Sequence, residues 1–313
     1  MSRSSSEFNT ELRDNSNIQW FPGHMAKARR LLAENIKLVD VVVELVDSRI
    51  PYSSRNPEID KLISGKPRVI IGNKKDLADP VQNSFWANYY AKQGIRIYYT
   101  DCKSGGGQKE VIKAINELMA EKTARYLEKG RKAPIIKAMI VGIPNVGKSS
   151  LINKFAGANV AVTGDKPGVT RSKQWLKMSD NIYLLDTPGL LWPKFDDQIV
   201  GYKLAATGAI KNDVLDVQEI AIYLIRIISK YYPDILKDKY SIEISDEKAG
   251  FPSFEEGLEM LENFGRKRGC VVKKGEIDLY RASMYLLDDY RKGKFGRISL
   301  DNSDCLEGEP ENE

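Results

Sequence analysis

Histidine occurs once in these 313 residues and cysteine three times, and both scarcities narrow the field. Cys102, Cys270 and Cys305 have neither the paired spacing of a disulfide framework nor the C-x-x-C spacing of a zinc site, so reduced thiols are expected. Long apolar runs are missing as well. Val41 to Val46 and Ala221 to Ile228 are short or broken by charge, which excludes a membrane-spanning helix. The N-terminus has no apolar core of a secretory signal, and residues 1–17 carry Glu7, Glu11 and Asp14, which a basic transit peptide would avoid. A cytoplasmic protein with a disordered Ser/Asn-rich extension at 1–17 is the expectation. No repeat of solenoid period is visible.

What is present is globular. Hydrophobic residues make up 42% and charged residues 29%, and the length predicts two domains plus tails. The net charge of +5 conceals an asymmetry: residues 263–297 hold ten Lys/Arg against four Asp/Glu, whereas 298–313 hold six acids and no base. A basic stretch of that density is either a solvated face or a nucleic-acid surface, and charge alone does not choose between them.

Apolar runs at 39–47, 67–73, 95–99, 135–142 and 181–186 read as buried parallel strands, separated by helical stretches at 80–93, 108–130 and 148–155. The fold class is therefore α/β, doubly wound, with ligands expected at the carboxyl ends of the strands. Beyond about Phe195 the strand pattern stops, and Ile199–Ile210, Val217–Tyr231, Phe254–Phe264 and Glu276–Arg291 carry apolar residues at helical spacing. The predicted division is an extension at 1–17, an α/β domain at 18–196, a smaller all-helical domain at 197–298 and an acidic disordered tail at 299–313.

Gly142-Ile-Pro-Asn145-Val146-Gly147-Lys148-Ser149 fits G-x-x-x-x-G-K-[ST] between a predicted strand and a predicted helix. Such a P-loop turns successive backbone N–H groups, through Ser150, toward phosphate oxygens. Lys148 supplies a point charge to the β- and γ-phosphates, and the Ser149 hydroxyl ligates Mg²⁺. Asp186-Thr-Pro-Gly189 ends the next strand, where a carboxylate holds Mg²⁺ and the Gly189 N–H approaches the γ-phosphate. Thr170 lies in the polar loop between them as the candidate hydroxyl completing the Mg²⁺ shell, with Thr163 as its rival.

Asn73-Lys74-Lys75-Asp76 ends the strand at 67–73. A carboxylate there accepts from both N1–H and N2–H of guanine, a donor pair that adenine lacks, so Asp76 is the discriminator against an ATPase or kinase. Asn73 is expected to tie this loop to the P-loop, and the stem of Lys74 to cover the base. Asp101-Cys102-Lys103-Ser-Gly follows the strand at 95–99, where backbone N–H would meet guanine O6. These motifs specify a P-loop GTPase domain in circularly permuted order, with base recognition preceding the phosphate loop. Nearby chain termini make both orders compatible with one site.

Taken with Trp20-Phe-Pro-Gly-His24-Met25, Asp47-Ser-Arg49-Ile-Pro51, Asp278-Leu-Tyr-Arg281 and Gly293-Lys-Phe-Gly-Arg297, the permuted order resembles the ribosome biogenesis GTPase A family from Trp20 to about Leu300. The resemblance implies a GTPase acting late in assembly of the large (50S) ribosomal subunit. Its hydrolysis would be stimulated by the subunit, would trigger release, and would leave the protein a monomer off the ribosome. It also implies rRNA binding by the helical domain, with Arg266, Lys267, Arg268, Lys273, Lys274, Arg291, Lys292, Lys294 and Arg297 as candidates. Leu190 stands where Ras-like enzymes keep a water-orienting Gln. His24, on the loop before a helix at Met25–Lys37, is the family's candidate for that task. Asn145 is the position that resembles a K⁺ ligand in potassium-activated relatives. Asp47, Arg49 and Pro51 are expected to organise the switch region. The rival readings are a GTP-gated RNA-binding switch with negligible hydrolysis, which Leu190 favours, and a small-subunit assembly GTPase.

Overall fold

The computed structural model describes residues 22–63 (side chains from Arg29), 65–102, 107–156, 175–185, 197–210, 216–242, 244 and 251–306. They fall into two compact units, one within Trp20–Pro193 and one beyond Lys194.

The first unit is a six-stranded sheet in the order β3-β2-β1-β4-β6-β5. Its strands are β1 (Val41–Asp47), β2 (Arg68–Asn73), β3 (Ile97–Tyr99), β4 (Ile136–Val141), β5 (Trp175–Lys177) and β6 (Ile182–Leu185). All pairings are parallel except β5 against β6. The helices are α1 (Pro22–Ile36), α2 (Pro57–Leu62), α3 (Pro80–Lys92), α4 (Gln108–Leu118), α5 (Ala120–Glu128) and α6 (Lys148–Ala156). Val41, Val42, Val43, Leu45 and Val46 of β1 are fully buried, as expected for a central parallel strand covered on both faces. One face is covered by Leu32 and Ile36 of α1 and Ile59 of α2, packed on Val42, Met139 and Leu185. Each such side chain contributes about 1.5–3 kcal/mol by leaving water.

The expected strands and crossover helices form. The helix expected at 108–130 is two, broken at Met119, and the helix expected from Met25 starts earlier, at Pro22. Proline suits a first helical position because its missing N–H has no intrahelical partner there. His24 is therefore in the first turn of α1 rather than on a loop.

The second unit contains α7 (Gln198–Ala206), α8 (Val217–Tyr231), α9 (Pro233–Tyr240), α10 (Phe254–Lys267) and α11 (Leu279–Arg291). Its centre is α8, buried from Ile220 to Ser229. Asp216 caps α8, accepting from Gln218 N at 2.7 Å, and Ser253 with Glu256 forms a capping box on α10. Of the tail expected to be disordered at 299–313, residues 299–306 are ordered, and 307–313 lie outside the described residues. Ser299, Leu300, Asp301 and Asn302 are buried, and 303–306 form a 3₁₀ turn. The reason is electrostatic: Asp301 Oδ1 accepts from the buried Lys203 Nζ at 2.9 Å, so an ammonium on α7 is neutralised only if this segment packs. Among the described residues no helix is long and apolar enough to cross a membrane.

Candidate functional site

The carboxyl ends of β1, β2, β3 and β4 carry Asp47, Asn73, Thr100 to Cys102, and Gly142 to Ser149 respectively. Strand order reverses on either side of β1, which is where doubly wound sheets open a crevice.

Asn73 joins the three loops. Its Nδ2 donates to Val146 O in the P-loop at 2.7 Å, and its Oδ1 accepts from Cys102 N at 2.9 Å. At 4% exposure it has little access to water, so these bonds replace its hydration. Gly147 passes it at φ 100°, and a Cβ there would collide with Asn73 Nδ2, which is why the P-loop needs glycine at that point. The expected bridge between base loop and phosphate loop is thus present in the structure.

Cys102 differs from expectation. Its N–H is committed to Asn73, so it positions the loop rather than meeting a base, and Lys103 lies outside the described residues. Burial pushes the Cys102 thiol up to about 12, which leaves it protonated and unreactive at neutral pH. Iodoacetamide at pH 8 is expected to label Cys102 only after denaturation, read by peptide mass mapping. Rapid labelling of the folded protein would show that this loop opens.

The phosphate loop has the predicted form. Gly142 lies at φ 152° and Asn145 at φ 59°, turning the backbone around a concavity at the start of α6. Lys148 is 8% exposed, and its Nζ donates to Gly142 O at 3.2 Å and Ile143 O at 3.1 Å, so the ammonium lies over the loop. Val146 is buried, Gly147 and Ser149 are half-buried, and Asn145 and Ser150 are exposed. Among the described residues no cluster of three His, Cys, Asp or Glu side chains stands ready for a metal. Mg²⁺ bound through phosphate oxygens and water needs few protein ligands, and Ser149 in the first turn of α6 suits that donor set. Thr170, Thr163, Asp186, Gly189 and Leu190 lie outside the described residues, as does the side chain of His24.

On the base side, Asp76 is exposed and Lys74 adopts φ 61°. Lys74 Nζ donates to Asp47 Oδ2 at 2.9 Å, and Arg49 NH2 donates to the same oxygen at 2.7 Å. Arg49 and Asp47 are 1% and 2% exposed. Burial alone would raise the Asp47 carboxyl, but the Arg49 and Lys74 charges hold it well below the usual carboxylate range. Asp47 and Arg49 are tied to the loop that carries Lys74, while the switch segments they were expected to organise lie outside the described residues.

In the helical unit the basic candidates divide. All but Arg291 are exposed, and Arg266 also pairs with Glu262 on its own helix. Lys273 and Lys274 lie on a short excursion closed by a Val271 to Ile277 bridge, beside the half-exposed Val271, Val272 and Tyr280. Arg268 and Lys294 both pair with the buried Asp289, and Lys292 pairs with Asp288. Arg291 is corrected to a packing role. Its Nε and NH2 donate to Ala206 O and Ala205 O at 3.1 and 2.7 Å, closing the carboxyl end of α7.

Comparison with known proteins agrees with this geometry. Residues 137–249 match a family model described as "50S ribosome-binding GTPase". The chain is 48% identical over 286 residues to ribosome biogenesis GTPase A of Priestia megaterium, covering 91% of this chain and 96% of the relative. It is 46% identical over 284 residues to the protein of that name from Bacillus cereus, covering 91% and 93%. The crystal structure of GNP-bound YlqF from T. maritima superposes with a TM-score of 0.61 at 28% identity, covering 88% of this chain and 98% of that one. A guanine-nucleotide site assembled from permuted motifs, with relatives matched over nine-tenths of the sequence, makes this chain a GTP-hydrolysing member of the ribosome biogenesis GTPase A family.

Proposed function

We propose that this GTPase is a late assembly factor of the large (50S) ribosomal subunit in the cytoplasm, a monomer when free. Binding to the immature particle stimulates hydrolysis, and loss of the γ-phosphate releases the protein. Asn73 carries the nucleotide half of this reading, because its two hydrogen bonds assemble the base and phosphate loops into one site. The exposed basic residues of the helical unit support the RNA half. Arg266, Lys267, Lys273, Lys274 and Arg297 offer charge to phosphates, and Tyr280 of the same unit is 59% exposed.

In this reading Ser149, Thr170 and Asp186 would hold Mg²⁺, which would supply positive charge at the phosphate oxygens. Lys148 adds a fixed positive charge there, and the P-loop N–H groups through Ser150 orient the chain of phosphates. Gly189 senses the γ-phosphate. His24 orders the attacking water in place of the missing Gln, and Asn145 would hold a K⁺, which would supply the positive charge that other GTPases take from an arginine.

GTP turnover by the purified protein, alone and with purified large or small subunits, in K⁺ and in Na⁺ buffer, tests this. Strong stimulation by large subunits alone, greater in K⁺, is expected. His24→Ala is then expected to lower the stimulated kcat by at least about 10²-fold, with GTP affinity retained. A near-zero rate that neither subunit raises, with tight GTP binding, would replace the proposal by a GTP-gated RNA-binding switch. Stimulation by small subunits alone would redirect it to the other particle.

A further inference from the structure

Between β1 and α2 runs the segment 48–56, which has no regular secondary structure and yet is almost wholly buried. Ser48, Ile50, Ser53, Ser54 and Asn56 are at most 3% exposed. A segment of that kind must be fastened by side chains. Tyr90 OH on α3 donates to Pro51 O at 3.0 Å, Tyr52 stacks on the buried Trp86 with ring centroids 5.4 Å apart, and Ser54 Oγ accepts from Asp47 N at 3.1 Å. Its fixed point on the sheet is Asp47, which stands in register with Asn73 on β2, and Ser48 N donates to Asn73 O at 2.8 Å.

Asp47 then reaches out of this frame into the base-reading loop. Its Oδ1 accepts from Arg49 N and Nε at 3.1 and 2.9 Å, leaving Oδ2 to serve Arg49 NH2 and Lys74 Nζ. Lys74 follows Asn73 and precedes Asp76 by two residues, and it holds a left-handed backbone at φ 61°, a conformation that disfavours any residue with a Cβ. The pull of the Asp47 carboxylate on its ammonium is an attachment that compensates that strain, and it comes from a buried, doubly bonded anchor. Arg49 suits the anchor because its planar fork grips a carboxylate at two points and fixes the second oxygen toward Lys74.

We propose that Asp47 and Arg49 are positioning residues for guanine recognition: they hold Lys74 in its strained turn and thereby set Asp76 against the base. The inference rests on Asn73 to Asp76 being the guanine-reading loop. Its signature is a loss of discrimination rather than a uniform loss of binding, since what depends on Asp76 is the contact to the exocyclic N2 amine.

The test compares GDP with inosine diphosphate, which lacks that amine, by calorimetric Kd on the full chain. Wild type is expected to prefer GDP strongly. Asp47→Asn keeps the shape of the side chain but gives up the charge that holds Lys74, and is expected to lower the GDP preference by about tenfold or more. Lys74→Met keeps the apolar stem and leaves Asp47 paired with Arg49. It is expected to lower the preference similarly, so that the double variant is no worse than either single one. Equal weakening of both nucleotides by Asp47→Asn, or additive effects in the double variant, would overturn the proposal. Should Asp47→Asn fail to fold, Lys74→Met alone decides: an unchanged GDP preference refutes it. A wild-type protein that does not distinguish the two nucleotides would instead refute the guanine reading itself, and this inference with it.

Discussion

Asp76→Asn is expected to weaken GTP binding by roughly 10⁴-fold and to transfer the site's preference to xanthosine triphosphate. Guanine presents N1–H and N2–H side by side, and a carboxylate accepts from both. An amide in the same place keeps one acceptor and sets a donor against the N2 amine, so one good contact becomes a repulsive one. Xanthine carries a carbonyl where guanine carries that amine, and the new amide donor meets it. Asp76 is exposed in the structure, so the substitution should leave the folded protein intact and move only the binding equilibrium. Titration with both nucleotides checks this. A variant that binds GTP as tightly as wild type would show that Asp76 does not read the base. A variant that loses GTP without gaining xanthosine triphosphate would show that the loop has moved rather than changed its preference.

The P-loop is legible in the sequence for a physical reason. A phosphate loop demands glycine where the chain turns at positive φ or passes another group closely, as Gly147 passes Asn73, and it demands lysine at the helix start. These requirements are local and leave a fixed spacing. The buried strands are legible for a similar reason: β1 and β2 are covered on both faces, so their apolar runs are continuous, and Val217–Tyr231 matches α8 to the residue because its helical period is unbroken.

What sequence reading missed is held by partners far along the chain. Strand β5 is three residues long and exists through its pairing with β6, too short to leave an alternating pattern. Helices α2 and α9 each start at a proline that otherwise reads as a loop. The residues after 298 look like a tail because they are acidic, yet Asp301 is the counter-charge of Lys203, 98 positions earlier. The same blindness affected Arg291 and Asp47. Their charges counted as surface or as motif, and only the fold reveals the carbonyls and the ammonium that they serve.

Lys148→Ala is expected to reduce GTP turnover by about 10³-fold, more than the loss of a single neutral donor would, because a whole positive charge leaves a site where charge develops. The side chain is 8% exposed and lies over the P-loop on the Gly142 and Ile143 carbonyls, so its position is already set by backbone. Moving from those carbonyls to phosphate oxygens is a short shift that exchanges neutral acceptors for charged ones, the stronger partners for an ammonium. The effect should therefore be larger in kcat than in GDP affinity, since GDP lacks the γ-phosphate. Lys148→Arg is not expected to restore turnover, because a planar five-donor fork is too large for a ring of backbone that accommodates a point charge. Single-turnover rates with nucleotide binding measured in parallel separate the two effects. A loss confined to affinity, with the chemical step unchanged at saturating GTP, would mean that Lys148 only holds the nucleotide, and transition-state stabilisation would have to come from other charged groups at the phosphates.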